Sequence, residues 1–319
     1  IIYFKMKVLV IQQRYGIGDM LIFLPYLRAI SEKNNVKISL LAKKTSRSSE
    51  LFKDENFLNE IINLDASNDG ISGFLKLSKE IKKRKFDKVY IFNGSLRYRL
   101  LSIIAGIKNI YQYPLFTSKD IIYQTAKIFT ETLVGKILST EPNLLLKNEE
   151  IKKVKDAYNI NNQTKNIILG ISASGPTKRW DIENYIELAS QLNQFKKCKF
   201  FIAAGKNDLE IIDKIKFSKI SSNCITMEKL SISNILPIIK NCDLYIGNDT
   251  GFMHMSASLG IKSIGIFIDS PAYSYSSYSK NIVPIVPKGE TIKSTTHDTL
   301  GKDNMSFEEV LISAKKYLN

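Results

Sequence analysis

"DLYIGNDTGFMHMSASLGIKSIGIF", residues 243–267, holds a whole supersecondary unit: an apolar strand at 243–247, a helix opening on Asp249-Thr250-Gly251, and a second strand from Lys262. Strand, helix and strand at this spacing make a βαβ crossover, and repeated crossovers build a parallel sheet covered on both faces. The same alternation runs outward through the whole chain. Further strands are expected at 166–171, 198–204 and 223–226, with 262–268 closing the unit above, and in the first half at 7–12, 36–42, 59–64, 87–93 and 109–113. Two βαβ domains follow. Between them, the stretch from "TEPNLLLKNEE" to "NINNQTKN" carries Pro142 and a charged run, the composition of a linker, so the domains are expected at 1–160 and 161–319. "MSFEEVLISAKKYLN" spaces Phe307, Val310, Leu311 and Ala314 as one face of a closing helix, a candidate also to pack back on the first domain.

With 319 residues, 44% hydrophobic and 24% charged, the chain can bury two cores. No apolar run approaches the roughly 20 residues of a membrane span, and the opening lacks the apolar stretch of a signal peptide. A cytoplasmic place is therefore expected, and Met6, ahead of a strand-like run, is a candidate native start. Cys198, Cys224 and Cys242 stand singly in hydrophobic runs and read as buried thiols. His254 and His297 lack zinc-ligand spacing, so no metal is expected. Lys and Arg number 46 against 31 Asp and Glu, a net +15 that attracts nucleic acid, anionic membranes or phosphorylated substrates. No helix-turn-helix, RNP-like or zinc-finger pattern accompanies the charge, and no nucleic-acid partner is expected.

Three segments carry chemistry. "QQRYGIGDML" (12–21) follows the first strand, yet Leu21 stands where a dinucleotide fingerprint needs its third glycine, and Ala42-Lys43 stand where the ribose would want a carboxylate. What remains is a turn through Gly16 and Gly18 that delivers Asp19 to the mouth of the sheet, as a helix cap or as a reactive carboxylate. Pro25 should kink or restart the helix that follows. In "GISASGPTKRWDIENYIELASQL" (170–192), Ser172, Ser174, Lys178 and Arg179 can hold phosphate oxygens at the end of a strand. Read plainly, Lys178 and Arg179 are solvated charges, Trp180 is a packing residue and Asp181 caps the next helix. In the opening stretch the first N–H groups after Thr250 and Gly251 lack helical acceptors and form an anion site. His254, one turn in, either looks back at the same anion or sits as a core histidine.

With "GIGD" (16–19), "KRW" (178–180) and "NDTGFMHMSASLG" (248–260) in this order, the chain resembles glycosyltransferase family 9, the ADP-heptose:lipopolysaccharide heptosyltransferases and their relatives. Only the middle, about 45–160, lacks a signature of that family. The resemblance implies an α/β, GT-B fold of two Rossmann-like domains facing a central cleft, with the acceptor on the first and the nucleotide-sugar on the second. It implies Asp19 as catalytic base, with Arg14, Gly16 and Gly18 as the acceptor-side loop. Lys178 would bind and stabilise the donor phosphates, and Asp249, Thr250, Gly251 and His254 would form the donor motif, flanked by Ser172 and Ser174. The implied reaction is an inverting, metal-independent sugar transfer, heptose from ADP-heptose, onto a lipopolysaccharide core or related surface glycan. No cofactor is implied beyond the nucleotide-sugar substrate. The implied acceptor is an anionic glycolipid or glycan, met by peripheral contact at the inner face of the inner membrane. Three positions depart from the family pattern: Asp181 and Phe252 replace prolines, and Ile268 replaces a glycine, which bears on the shape of the donor pocket. Rival readings are a GT-B sugar-nucleotide 2-epimerase, which needs no acceptor, and a non-catalytic sugar-nucleotide-binding protein, which would not hydrolyse the donor.

Overall fold

The computed structural model of the protein describes residues 6–114 and 121–319, and the chain divides into two compact units at Pro142/Asn143. The first unit runs β1 (Val8–Gln12), α1 (Ile17–Asn34), β2 (Ile38–Lys43), α2 (Ser48–Leu51), β3 (Leu58–Leu64), α3 (Gly70–Arg84), β4 (Lys88–Ile91), α4 (Leu96–Ile104), β5 (Asn109–Gln112) and α5 (Ile122–Val134). Its strands form one sheet in the order β3-β2-β1-β4-β5, every pair parallel. The second unit runs α6 (Asn148–Ala157), β6 (Lys165–Gly170), α7 (Ile182–Phe195), β7 (Cys198–Ala203), α8 (Leu209–Lys216), β8 (Cys224–Thr226), α9 (Ile232–Lys240), β9 (Leu244–Asn248), α10 (Gly251–Ser258), β10 (Lys262–Ile266), α11 (Ala272–Ser276), β11 (Ile282–Ile285) and α12 (Phe307–Leu318). Its sheet, again all parallel, has the order β11-β10-β9-β6-β7-β8.

Both sheets are covered on two faces, so their central strands are buried at every residue, as in β1 and β9. This is the α/β architecture of two Rossmann-like domains. The expected boundary near 160 moves to Pro142/Asn143, because the segment between packs on the second unit. There α6 lies against α9, Leu144 N donates to Ser258 O at 2.7 Å, and Asn241 Nδ2 donates to Ile151 O at 2.9 Å. Its linker-like composition is the solvated face of a surface helix with no fully buried residue. The closing helix α12 buries Val310, Ala314 and Leu318 in the core of the second unit, against α7 and beside β9 and β10.

Helix α1 runs unbroken through Pro25, against expectation. Twelve of its eighteen residues are buried, and that burial, at ~1.5–3 kcal/mol for each large apolar side chain, outweighs the ~3 kcal/mol of an interior proline. The strand β11 had no counterpart in the sequence reading, because Pro284 argues against a strand. It lies at the sheet edge, where a missing N–H costs no ladder bond. Across the middle of the second sheet Gly170, Gly247 and Gly265 sit in register. A Cβ at Gly265 would strike Met253 of α10, one at Gly247 the backbone of Gly170, and one at Gly170 the Tyr245 ring.

Candidate active site

In the first sheet β1 and β4 are neighbours from which the chain departs in opposite directions, to β2 and to β5. Such a reversal leaves a crevice beyond the carboxyl ends of the two strands, the usual ligand position in open α/β sheets. Here it is a pocket of about 340 Å³ lined by Arg14, Tyr15, Asp19, Phe92, Asn93 and Tyr113 among others. Asp19 is the third residue of α1, and its two carboxylate oxygens stand in different surroundings. Its Oδ2 accepts from Gly16 N at 3.3 Å, closing the first turn of the helix, while the buried Oδ1 accepts no hydrogen bond. Arg14 Nη1 stands 3.6 Å from that oxygen. A Cβ at Gly16 would lie 3.2 Å from Asp19 Oδ2, so a side chain there would press on that carboxylate. Gly18 is buried inside the same turn. Arg14 is shaped by the buried Gln12, whose Oε1 accepts from Arg14 N at 3.0 Å.

Tyr113 was not legible as a site residue, since "NIYQY" reads only as a strand. Its hydroxyl is buried without a hydrogen-bond partner in the pocket wall, and desolvation by burial holds the phenol far above its usual pKa. At neutral pH it is a hydrogen-bond donor.

The second sheet reverses direction between β6 and β9, and the two remaining motifs are the loops that leave those strands. Asn248, the fully buried last residue of β9, joins them. Its Nδ2 donates to Ile171 O at 3.2 Å and to Ser172 O at 3.1 Å. Its Oδ1 accepts from Trp180 N at 3.0 Å. One amide side chain thus fastens both ends of the Ser172–Trp180 loop to the start of α10. Trp180, 1% exposed, packs edge-on against Tyr185 and stacks on Phe307, as its plain reading expects. Arg179 is consumed by the loop itself, donating to buried Asp208 at 2.9 Å. Asp181 occupies the N-cap position of α7 but makes no cap bond; its carboxylate pairs with Lys302 at 2.5 Å. That leaves Lys178 as the lysine of the loop, with Ser172 half-buried and Ser174 exposed beside it. Its Nζ stands 3.3 Å from His297 Nδ1. His297 comes from a loop pinned on both sides, by Ala272 N donating to Thr295 Oγ1 at 2.9 Å and Leu300 N donating to Asp269 Oδ1 at 3.1 Å. The contact joins the loop after β6 to a loop more than a hundred residues on, which no local spacing announces.

Thr250 is the N-cap of α10, so the amides of Gly251 and Phe252 open the helix without helical acceptors. His254 does not serve them. It is 3% exposed, with Nδ1 at 2.7 Å from the Tyr278 hydroxyl and Nε2 at 3.4 Å from Asp249 Oδ1. A Tyr278 hydroxyl donating to Nδ1 leaves the ring proton on Nε2, aimed at Asp249. Of the two readings of His254, its burial and its Tyr278 bond accord with a core histidine, with Nε2 turned toward Asp249. Ile268 belongs to the apolar core at 1% exposure, so its departure from the family glycine is absorbed by packing. Glu228, just past β8, also escaped the sequence reading; it is 8% exposed and its Oε2 is buried without a hydrogen bond. Among the described residues no three His, Cys, Asp or Glu side chains gather as a metal site.

The family model described as glycosyltransferase family 9 (heptosyltransferase) matches residues 74–302. A lipooligosaccharide heptosyltransferase 2 of Campylobacter jejuni is 27% identical over 267 residues, covering 79% of this chain and 78% of its own. Among solved structures, an ADP-heptose lipopolysaccharide heptosyltransferase II of Escherichia coli superimposes with a TM-score of 0.76 at 19% identity, covering 98% of both chains. A family 9 glycosyltransferase of Veillonella parvula does so with 0.79 at 18% identity, covering 98% of this chain and 97% of that one. The likeness in fold is of GT-B type and spans both units.

Proposed function

The chain belongs to glycosyltransferase family 9, and from that premise we propose that it transfers heptose from an ADP-linked donor to a lipopolysaccharide-type acceptor, with inversion and without a metal ion. The observation that carries the reading is the Asn248 clamp, which fixes the Lys178 loop and the amide-bearing start of α10 side by side at the reversal point of the second sheet. Such a cradle suits a diphosphate. The acceptor lies on the first unit, where Asp19 Oδ1 takes the proton of the attacking hydroxyl. As the new bond to the anomeric carbon forms from the face opposite the nucleotide, the bond to the leaving oxygen breaks and its electron pair goes to the diphosphate. Lys178, with His297 beside it, and the Gly251 and Phe252 amides stabilise that charge. Fixed donors supply in this way what a divalent cation supplies elsewhere. Asp249, held by His254, and the bare oxygen of Glu228 are acceptors suited to hydroxyls of the sugar and of the ribose.

The test is binding and turnover together. ADP at about 100 times its dissociation constant should stabilise the protein by roughly 2.7 kcal/mol in thermal melts, and NAD should not. Transfer should survive EDTA and fall about 10²-fold in Lys178→Ala, a loss of about 3 kcal/mol of transition-state stabilisation. Equal stabilisation by NAD, or chelation that abolishes turnover beside a normal Lys178→Ala, sinks the reading.

A further inference from the structure

The helix α4 is built inside out. Its inner side buries Tyr98, Leu101 and Ser102, as any sheet-covering helix does. Its outer side should then be polar, yet the side chains exposed along it are Leu96, Leu100, Ile103 and Ile104, each between 45% and 53% exposed, with Arg99 between them. Their spacing of four, three and one places them on one stripe. No Asp or Glu occurs anywhere in the helix.

Helix α3 continues the surface. It packs beside α4 on the same side of the sheet, in the core cluster that contains Leu77, Ile81, Tyr98 and Leu101. The guanidinium of Arg97 over the Phe74 ring, at 5.3 Å, sets the first turns of the two helices level. On that turn α3 exposes Ile71 at 81% and Leu75 at 48%. Its basic residues Lys76, Lys79, Lys82, Lys83 and Arg84 outnumber the acids near them: Arg84 pairs with Glu80 and Glu60, each at 3.1 Å, and the exposed Asp65 and Asp69 stand before the first turn.

We infer that the outer face of α3 and α4 docks on an anionic lipid surface. Aliphatic side chains on one stripe, flanked by Lys and Arg in excess of carboxylates, are the pattern of a helix lying in the bilayer interface: the aliphatics enter the acyl boundary while the cations meet the headgroups. A nucleic acid has no use for the aliphatic stripe. A second copy of the chain docking by the same face would set cations against cations. Among the described residues no helix is long and apolar enough to cross a membrane, so attachment through this face is to the surface alone. The inference stands on the surface and does not depend on the transferase reading.

Co-sedimentation with vesicles tests it without any activity assay. The full chain should pellet with vesicles of phosphatidylcholine plus phosphatidylglycerol, should stay in solution with phosphatidylcholine alone, and should be released as salt rises. The variant Leu100→Ser/Ile103→Ser/Ile104→Ser, at positions already half in water, should melt like the wild type yet lose about tenfold or more in vesicle affinity. Arg99→Gln with Lys79→Gln should lose the preference for anionic lipid. Equal pelleting with neutral vesicles, or unchanged affinity in the triple serine variant, overturns the inference. So does a dimer in solution that the triple variant dissolves, which would make the face a contact between copies.

Discussion

At the crevice of the first sheet Asp19 keeps one carboxylate oxygen, and Tyr113 its hydroxyl, without hydrogen bonds, whereas at the crevice of the second sheet Asn248 engages its whole side chain in tying two loops together. A buried polar atom left unsatisfied costs about 1–3 kcal/mol, so the first crevice holds stability in reserve for a substrate. The second also keeps bare atoms, on Thr250 and Glu228, but its two loops are fastened to each other through Asn248. The difference teaches that one protein uses the same topological position in two ways. On the proposed mechanism the group that takes up a proton is the one left bare, and the frame that meets the leaving charge is the one that is fastened.

The comparison breaks most easily at Asp19. Asn caps a helix about as well as Asp, so Asp19→Asn should keep its melting temperature and its ADP affinity while kcat falls roughly 10²- to 10⁴-fold. Wild-type turnover in that variant, measured with the true acceptor, would reduce Asp19 to a cap. The opposite response is expected from the second crevice. Asn248→Ala strands the Trp180 amide and two carbonyls and should cost about 1–3 kcal/mol of stability, with ADP affinity falling in parallel. A variant that melts normally and still binds ADP would show that the loops hold their places without the clamp. The smallest effect guards against a third reactive group. Burial raises the Cys198 thiol to about 11 and the Cys224 thiol to about 12, and lifts Cys242 as well. None should be alkylated at neutral pH in the folded protein. A raised thiol pKa means that the folded state keeps protons the unfolded chain releases. The thiols' contribution to stability is therefore intact below about pH 8.5 and declines as pH climbs toward 11. Melting temperatures that rise across that window would contradict the assignment.

What the sequence disclosed and what it hid divide along one physical line. Asp19, Thr250 and Gly251 were legible because their roles are local: a turn, a helix start and a cap are written within a few residues. So were ten strands, through their apolar runs. Asn248, Tyr113, Glu228 and the His297 partner of Lys178 were hidden because each acts at long range, on residues 68 to 119 positions away or on no protein group at all. Pro284 hid β11 in the same manner, since only its place at the sheet edge makes proline harmless. The surroundings of His254 were half hidden for the complementary reason: its neighbour Asp249 was visible, while Tyr278, which holds the other ring nitrogen, was not.

The register of Gly170, Gly247 and Gly265 bears on how this donor site can evolve. With no side chain between them, α10 is seated on the sheet at less than a methyl group's clearance, since even a Cβ at Gly265 would collide with Met253. The helix cannot be pushed outward by small neutral steps, because the first such step already meets a wall. Change of nucleotide or sugar preference within this lineage is therefore channelled into the loops that leave β6, β8 and β10, whose side chains can be exchanged without lifting anything. On the proposed function the end that would hold phosphate stays fixed while the loops that would read identity drift around it.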